Sequence, residues 1–412
     1  MQQTHVPSTL PHDQNEPTKE VRRHFLAMVA TYSLDVFNDQ FFKQTAILLA
    51  FLGSFDKLPG YIQLIFMLPY VLLGAPAGWL ADRFAKRTVI IAAKLLELIG
   101  VVIAAYGIFN GSWTIILTAL AIMGLRANIF SPAMNGSIPE LFSDDEVTKA
   151  NGLLKMFTTG TILSGIALAG FALNIKGTVG HHIPTWHFII AGSIIAVAII
   201  GLFVSFGVPH KSAAAPDARF PWLGPITTLG QLWRVRKDSL LFITIFADAY
   251  SWFLGSLLVL LITALGMKQF GFNSAHTSIL VAAEVVGVAI GGLMSGRLAV
   301  GERWYKILPS CGVLLGASLL LVSQVPSLSP VFHLPVLLCA LAIAGIAGGL
   351  FLIPLESFIQ VRPAPQEKGS VISVANFAAF TGMLLAAPVY NGLHHYFIPS
   401  TCFAVMGVVT IF

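Results

Sequence analysis

Long apolar runs separated by short polar stretches organise this chain. Twelve can be drawn, at 25–53, 61–81, 88–109, 112–133, 149–172, 186–207, 239–265, 275–297, 305–324, 333–358, 369–390 and 398–412. A helix needs roughly 20 such residues to cross the hydrocarbon core of a bilayer. The last run is shorter and ends at "GVVTIF" with no polar flank, which reads as a helix cut short. The pattern predicts an all-α membrane protein with twelve transmembrane helices. The first run departs from it. "YSLDVFNDQFFKQTAILLAFL" (32–52) holds Asp35, Asp39 and Lys43 inside an otherwise apolar segment. A charge at the bilayer centre costs about 2.5–3.5 kcal/mol even on the mildest scale. The four-residue spacing puts all three on one stripe of a helix.

The polar stretches give the organisation. The longest, 208–238, contains the Pro- and Ala-rich "KSAAAPDARFPWLGP" and divides six runs from six. The expected layout is a tail at 1–24, a six-helix bundle at 25–207, a linker at 208–238 and a second six-helix bundle at 239–412. A weak repeat supports the halving. "GWLADRFAKR" (78–87) follows run 2, and "GLMSGRLAVGER" (292–303) follows run 8 with Gly296 in the place of Asp82. Two pseudosymmetric bundles are an arrangement of secondary transporters. Seventeen of the 24 Lys and Arg fall on one side of this layout, with clusters at Arg22/Arg23, Arg83/Lys86/Arg87 and Arg234/Arg236/Lys237. The opposite loops hold only Lys57, Lys176 and Lys268. Basic loops remain in the cytoplasm, so both termini are expected there.

Composition narrows the class. Hydrophobic residues make up 56% and charged residues 10% of the chain, whereas soluble domains carry about 25% charged residues. The excess of 24 basic over 19 acidic residues is too small to imply nucleic acid. Cys311, Cys339 and Cys402 all sit in apolar runs and suggest no disulfide. Residues 1–21 lack the apolar core of a signal peptide. No phosphate-binding loop, acyltransferase pattern or nucleophile elbow occurs, so neither an enzyme nor a cofactor is expected. His181/His182 and His394/His395 fall in loops opposite the basic ones and read as interfacial polar residues, not metal ligands.

The buried charges are the candidate chemistry. Asp35, Asp39 and Lys43 lie on run 1, Arg126 at similar depth on run 4, Asp248 on run 7 and Glu284 on run 8. Intramembrane charge marks a substrate or ion path by default, and an Asp39–Arg126 pair is expected. Lys94 and Glu97 are three apart and can pair with each other. Lys155 falls in the inner third of run 5. Gly74/Gly78, Gly287/Gly291, Gly292/Gly296 and Gly345/Gly349 have the spacing that lets helix backbones approach closely.

"GWLADRFAKR" resembles the signature loop of the major facilitator superfamily through Gly78, Leu80, Asp82, Arg83 and Arg87, with Ala85 and Lys86 departing from it. Asp82 ends run 2, where it can accept hydrogen bonds from the next helix N-terminus. Other segments resemble the superfamily's lysophospholipid transporter branch. They are "FNDQFFKQTAILL" (37–49), "KLLEL" (94–98), "FSPAMNGSIPEL" (130–141), "KANGL" (149–153) and "FLIPLESFIQVRPAPQEKGSVISVANF" (351–377). That resemblance implies a monomeric flippase moving lysophospholipids to the inner leaflet for reacylation, with Asp39 as the branch's acid and an acyltransferase as fused or associated partner. Met134, Lys155 and Leu254 depart from the branch, and Arg126 is a candidate replacement for the charge missing at Leu254. Two other readings stand beside the flippase: a proton-coupled antiporter using Asp39 or Asp248, and a non-transporting module of a lipid enzyme.

Overall fold

A computed structural model describes residues 19–138, 144–179, 183–298, 304–363 and 368–412. His181, His182 and Arg303 lie outside the described residues, as do the side chains of Lys149, Lys155 and Lys368. The chain forms thirteen described α-helices. They are α1 (Lys19–Leu52), α2 (Leu58–Arg83), α3 (Lys86–Phe109), α4 (Trp113–Ser137), α5 (Asp144–Leu173), α6 (Thr185–Ser205), α7 (Gly224–Val235), α8 (Ser239–Ala264), α9 (Ser274–Leu298), α10 (Leu308–Gln324), α11 (Pro330–Val361), α12 (Lys368–Tyr396) and α13 (Pro399–Ile411).

All but α7 match the twelve apolar runs. Ten described segments are long and apolar enough to cross a membrane. The other two are α1, which carries the three charges, and α13, which spans only 13 residues. The chain is a multi-pass membrane protein. Local chemistry sets the turns. The α3–α4 connection closes on Gly111, whose φ of 61° suits a residue without a Cβ. Gly111 and Ser112 N–H groups bond back to Ile108 and Gly107 carbonyls, satisfying the end of α3. Asp238 caps α8 through Leu241 N and accepts from Arg362 Nε at 2.9 Å; this last contact above all holds its carboxyl below the usual range.

The packing repeats between halves. In the first, α1 packs on α5 and α6, α2 on α4, and α3 on α4 and α6. In the second, α8 packs on α12 and α13, α9 on α11, and α10 on α11 and α13. These are the same pairs with each helix moved to its counterpart. The halves meet along α5–α9 and α2–α12.

The tight inter-half contacts lie at the end opposite the basic loops. A Cβ on Gly170 of α5 would strike the Ser274 carbonyl of α9, and one on Gly60 of α2 would strike Asn391 of α12. Lys268, in the π-helical turn after α8, pairs with Asp56 at 2.8 Å. At the basic end, a Cβ on Gly74, Gly78, Gly160 or Gly296 would meet nothing within 4 Å.

Two expectations need correction. Gly74/Gly78 do not bring backbones together, because both face open space. The close-packing glycines are Gly287 and Gly291 of α9 against Ala342 and Ile346, and Gly345 and Gly349 of α11 against Glu284 and Val288. They join α9 to α11 inside one half. The 208–238 linker, read as loop, contains α7. Its apolar residues are interleaved with Arg and Gly, which hides the helix in a Pro-bounded segment.

Candidate functional site

Five charged side chains meet near the midpoints of α1, α3 and α4. The Arg126 guanidinium donates to two acids of α1, Nη1 to Asp35 and Nη2 to Asp39. Its planar fork matches carboxylates one helical turn apart. The Asp35 Oδ1 that takes Arg126 also lies 2.8 Å from Lys94 Nζ. Lys94 is bonded in turn to Glu97 at 2.7 Å, and Glu97 lies 3.9 Å from Arg126. Asn38 closes the cluster, donating to Glu97 Oε1 at 2.8 Å and to the Ile194 carbonyl of α6 at 3.1 Å. Gly201 of α6 leaves room for Lys94, since a Cβ there would sit 3.2 Å from Nζ.

Lys94, Glu97 and Arg126 are completely buried. Burying such ions is tolerable only with paired charges and satisfied hydrogen bonds. Three carboxylates face two cations, and Lys43 stands one turn beyond Asp39. The sequence puts Lys43 on the same stripe, facing Arg126. Instead its ammonium lies 5.2 Å over the Phe66 ring of α2, without an ion pair among the described residues. Each four-residue step on an α-helix turns about 40°, so two steps carry Lys43 off the line of Asp35 and toward α2. The Asp39 side chain retains 9% exposure against 3% for Asp35. Asp39 is therefore the more accessible of the two acids clamped by Arg126.

Asp248 and Glu284 are buried on α8 and α9, apart from this cluster. Among the described residues Asp248 Oδ1 has no hydrogen-bond partner. No Lys or Arg ion pair reaches either acid among the described residues. Charge is thus concentrated in the first half. Sequence reasoning missed Asn38 and treated Lys94/Glu97 as a separate pair. The available signal was the adjacency of Asn38 to Asp39, an extra polar side chain in a segment already bearing three charges. Among the described residues no group of three His, Cys, Asp or Glu could hold a metal.

The signature loop lies elsewhere. Arg83 donates to the Pro216 and Ala218 carbonyls at 2.6 and 3.0 Å, and Trp79 Nε1 donates to Ala218 at 2.8 Å. Arg87 donates to the Phe206 carbonyl at the end of α6. Asp82 does not cap α3. The N-cap is Ala85, without a side-chain cap, because Phe84 and Ala85 alone separate the two helices. Asp82 instead accepts the Ala215 N–H through its backbone carbonyl at 2.8 Å. The loop ties α2 and α6 to the linker.

The family model for the Major Facilitator Superfamily matches residues 25–387. The chain is 28% identical to the lysophospholipid transporter LplT of Enterobacter sp. (strain 638), over 80% of this chain and 78% of that protein. It is also 28% identical to the LplT of Klebsiella pneumoniae subsp. pneumoniae, over 89% of this chain and 87% of that one. Among solved structures it resembles the inward-open xylose transporter XylE of E. coli, with a TM-score of 0.71 at 12% identity over 95% and 94% of the chains. A bacterial homolog of the human lysosomal transporter Spinster, inward-facing and unoccupied, gives 0.68 at 16% identity over 96% and 92%. At these identities the likeness speaks for the fold.

Proposed function

From a chain that belongs to the Major Facilitator Superfamily, we propose a secondary carrier that flips lysophospholipids across the bacterial inner membrane toward the cytoplasmic leaflet. The observation that carries this reading is Arg126 clamped between Asp35 and Asp39 at mid-helix depth. A lysophospholipid has a phosphate, a head group that is often cationic, and one acyl tail. Its phosphate competes with Asp39 for Arg126, because guanidinium binds phosphate and carboxylate by the same fork. The released Asp39 then meets an ammonium head group. Asp35, itself held by Lys94, keeps the guanidinium in place during the exchange. The tail need not enter this cluster and stays in lipid between helices.

The likeness to lysophospholipid transporters supports the substrate class. The inter-half contacts at Gly170, Gly60 and Asp56–Lys268 support a state sealed at the end away from the basic loops. On the positive-inside rule that end faces out. The halves then rock about the charge cluster to admit the head group from either side.

Uptake of labelled lyso-phosphatidylethanolamine by spheroplasts lacking their own lysophospholipid transporter tests the substrate. Expression of the chain should restore uptake. Absence of uptake, with the protein present in the membrane, contradicts the proposal. Asp248 and Glu284, buried without a paired cation among the described residues, favour a second reading, exchange of a solute for protons. Uptake that persists when the pH gradient is collapsed dismisses it.

A further inference from the structure

We propose that α7 is an interfacial helix that lies in the lipid headgroup region at the basic end of the bundle and binds its anionic lipids. At 12 residues it is about 18 Å long, too short to cross a bilayer. One face is bound to the protein. Leu232 and Val235 pack with Leu241, Ile359 and Val371 of the second half, and Gly224 abuts Ala75 of α2. The helix contacts both α2 and α12, the pair that forms one seam between the halves.

The other face is apolar and uncovered. Ile226, Leu229 and Trp233 recur at intervals of three and four, so they share one side of the helix. Trp222, in the turn just before the helix, is exposed as well. Their exposures are 84% for Trp222, 63% for Ile226, 52% for Leu229 and 67% for Trp233. Leu72 and Leu73 of α2, close to where Gly224 packs, are exposed as well, so the face continues the lipid-facing surface of the bundle.

Charge selects the occupant. Arg219, Arg234, Arg236 and Lys237 are exposed around this face. The Arg236 guanidinium lies 3.9 Å over the Trp233 ring. Of the nearby acids, Asp238 is engaged with Arg362, and the exposed Asp217 leaves the basic residues in excess. An apolar stripe with Trp at both ends, rimmed by basic residues, is the composition of helices that lie in the headgroup region and attract anionic lipid. The helix anchors the linker held by Arg83 and Trp79. This holds for any cargo and does not depend on the flippase reading.

The test uses Leu229→Cys carrying a nitroxide label, in a chain with Cys311, Cys339 and Cys402 changed to Ala, reconstituted in vesicles with and without phosphatidylglycerol. In anionic vesicles the label should collide more with oxygen, which partitions into lipid, than with a water-soluble nickel chelate. Arg234→Glu together with Arg236→Glu, or vesicles without anionic lipid, should shift the balance toward the chelate. Chelate collisions dominating under all conditions overturn the proposal, as does a label shielded from both reagents. A balance insensitive to lipid charge overturns the anionic preference. Quenching by brominated lipids, compared between the native-cysteine chain and its Trp222→Phe/Trp233→Phe variant, gives the same reading without the cysteine background. Equal quenching of the two overturns the placement.

Discussion

Arg126 has three acids around it and a single fork to satisfy them, so its partners should be energetically coupled. Removing one member of a buried ion pair typically costs 3–5 kcal/mol, because the other is left uncompensated. Asp39→Ala and Arg126→Ala should each lower the unfolding midpoint in detergent, and the double variant should lose less than the two losses added. Strict additivity would contradict direct pairing. Arg126→Lys should also destabilise, since an ammonium cannot hold Asp35 and Asp39 with two parallel bonds. Asp39 and Arg126 were legible as a pair in the sequence because charge in an apolar run stands out at once. The rest of the cluster was not. The i, i+3 spacing of Lys94 and Glu97 already explains them locally, and periodicity does not report that Asp35 and Asn38 reach them from another helix. The excursion of Lys43 to Phe66 was equally hidden, because a four-residue repeat reads as a straight line until its angular drift is counted.

Among elements, the described structure has one ion pair between the halves, Asp56–Lys268, beside the tight Gly170–Ser274 crossing. If this pair helps to seal one end during each cycle, Lys268→Glu should slow transport by setting two acids against each other. The swapped variant Asp56→Lys/Lys268→Glu should regain much of the loss. A swap no better than Lys268→Glu alone would remove the pair from the gate. Ten of the helices were legible in the sequence because length and apolar content suffice to define them, and α1 and α13 followed from the overall run pattern. Helix contacts were less so. The same small-xxx-small spacing describes Gly345/Gly349, pressed against the α9 backbone, and Gly74/Gly78, facing open space. Spacing shows that approach is permitted, and only the neighbouring helix decides whether it happens.

At the scale of the whole molecule, the two halves share their packing and differ in charge. The first holds a paired cluster of both signs, and the second holds Asp248 and Glu284 without paired cations among the described residues. The repeat near 78–87 and 292–303 announced the first property; the second was not read from the sequence, where the distribution of Lys and Arg spoke only to orientation. Cysteine at Ser112 should react with an impermeant thiol reagent from outside, and at Ser212 only after permeabilisation. The reverse pattern would invert the proposed orientation. The central claim is that this cluster conducts a charged lipid head group across the bilayer. The most direct test is the rate at which the purified chain, in vesicles, moves fluorescent lyso-phosphatidylethanolamine to the leaflet from which albumin extracts it. A monoacylglycerol of equal tail serves as the uncharged comparison. The account predicts fast movement of the lysophospholipid, none above protein-free vesicles for the monoacylglycerol, and loss of the former in Asp39→Ala protein that remains folded. Equal movement of both lipids, or unchanged lysophospholipid movement in the Asp39→Ala protein, would contradict it.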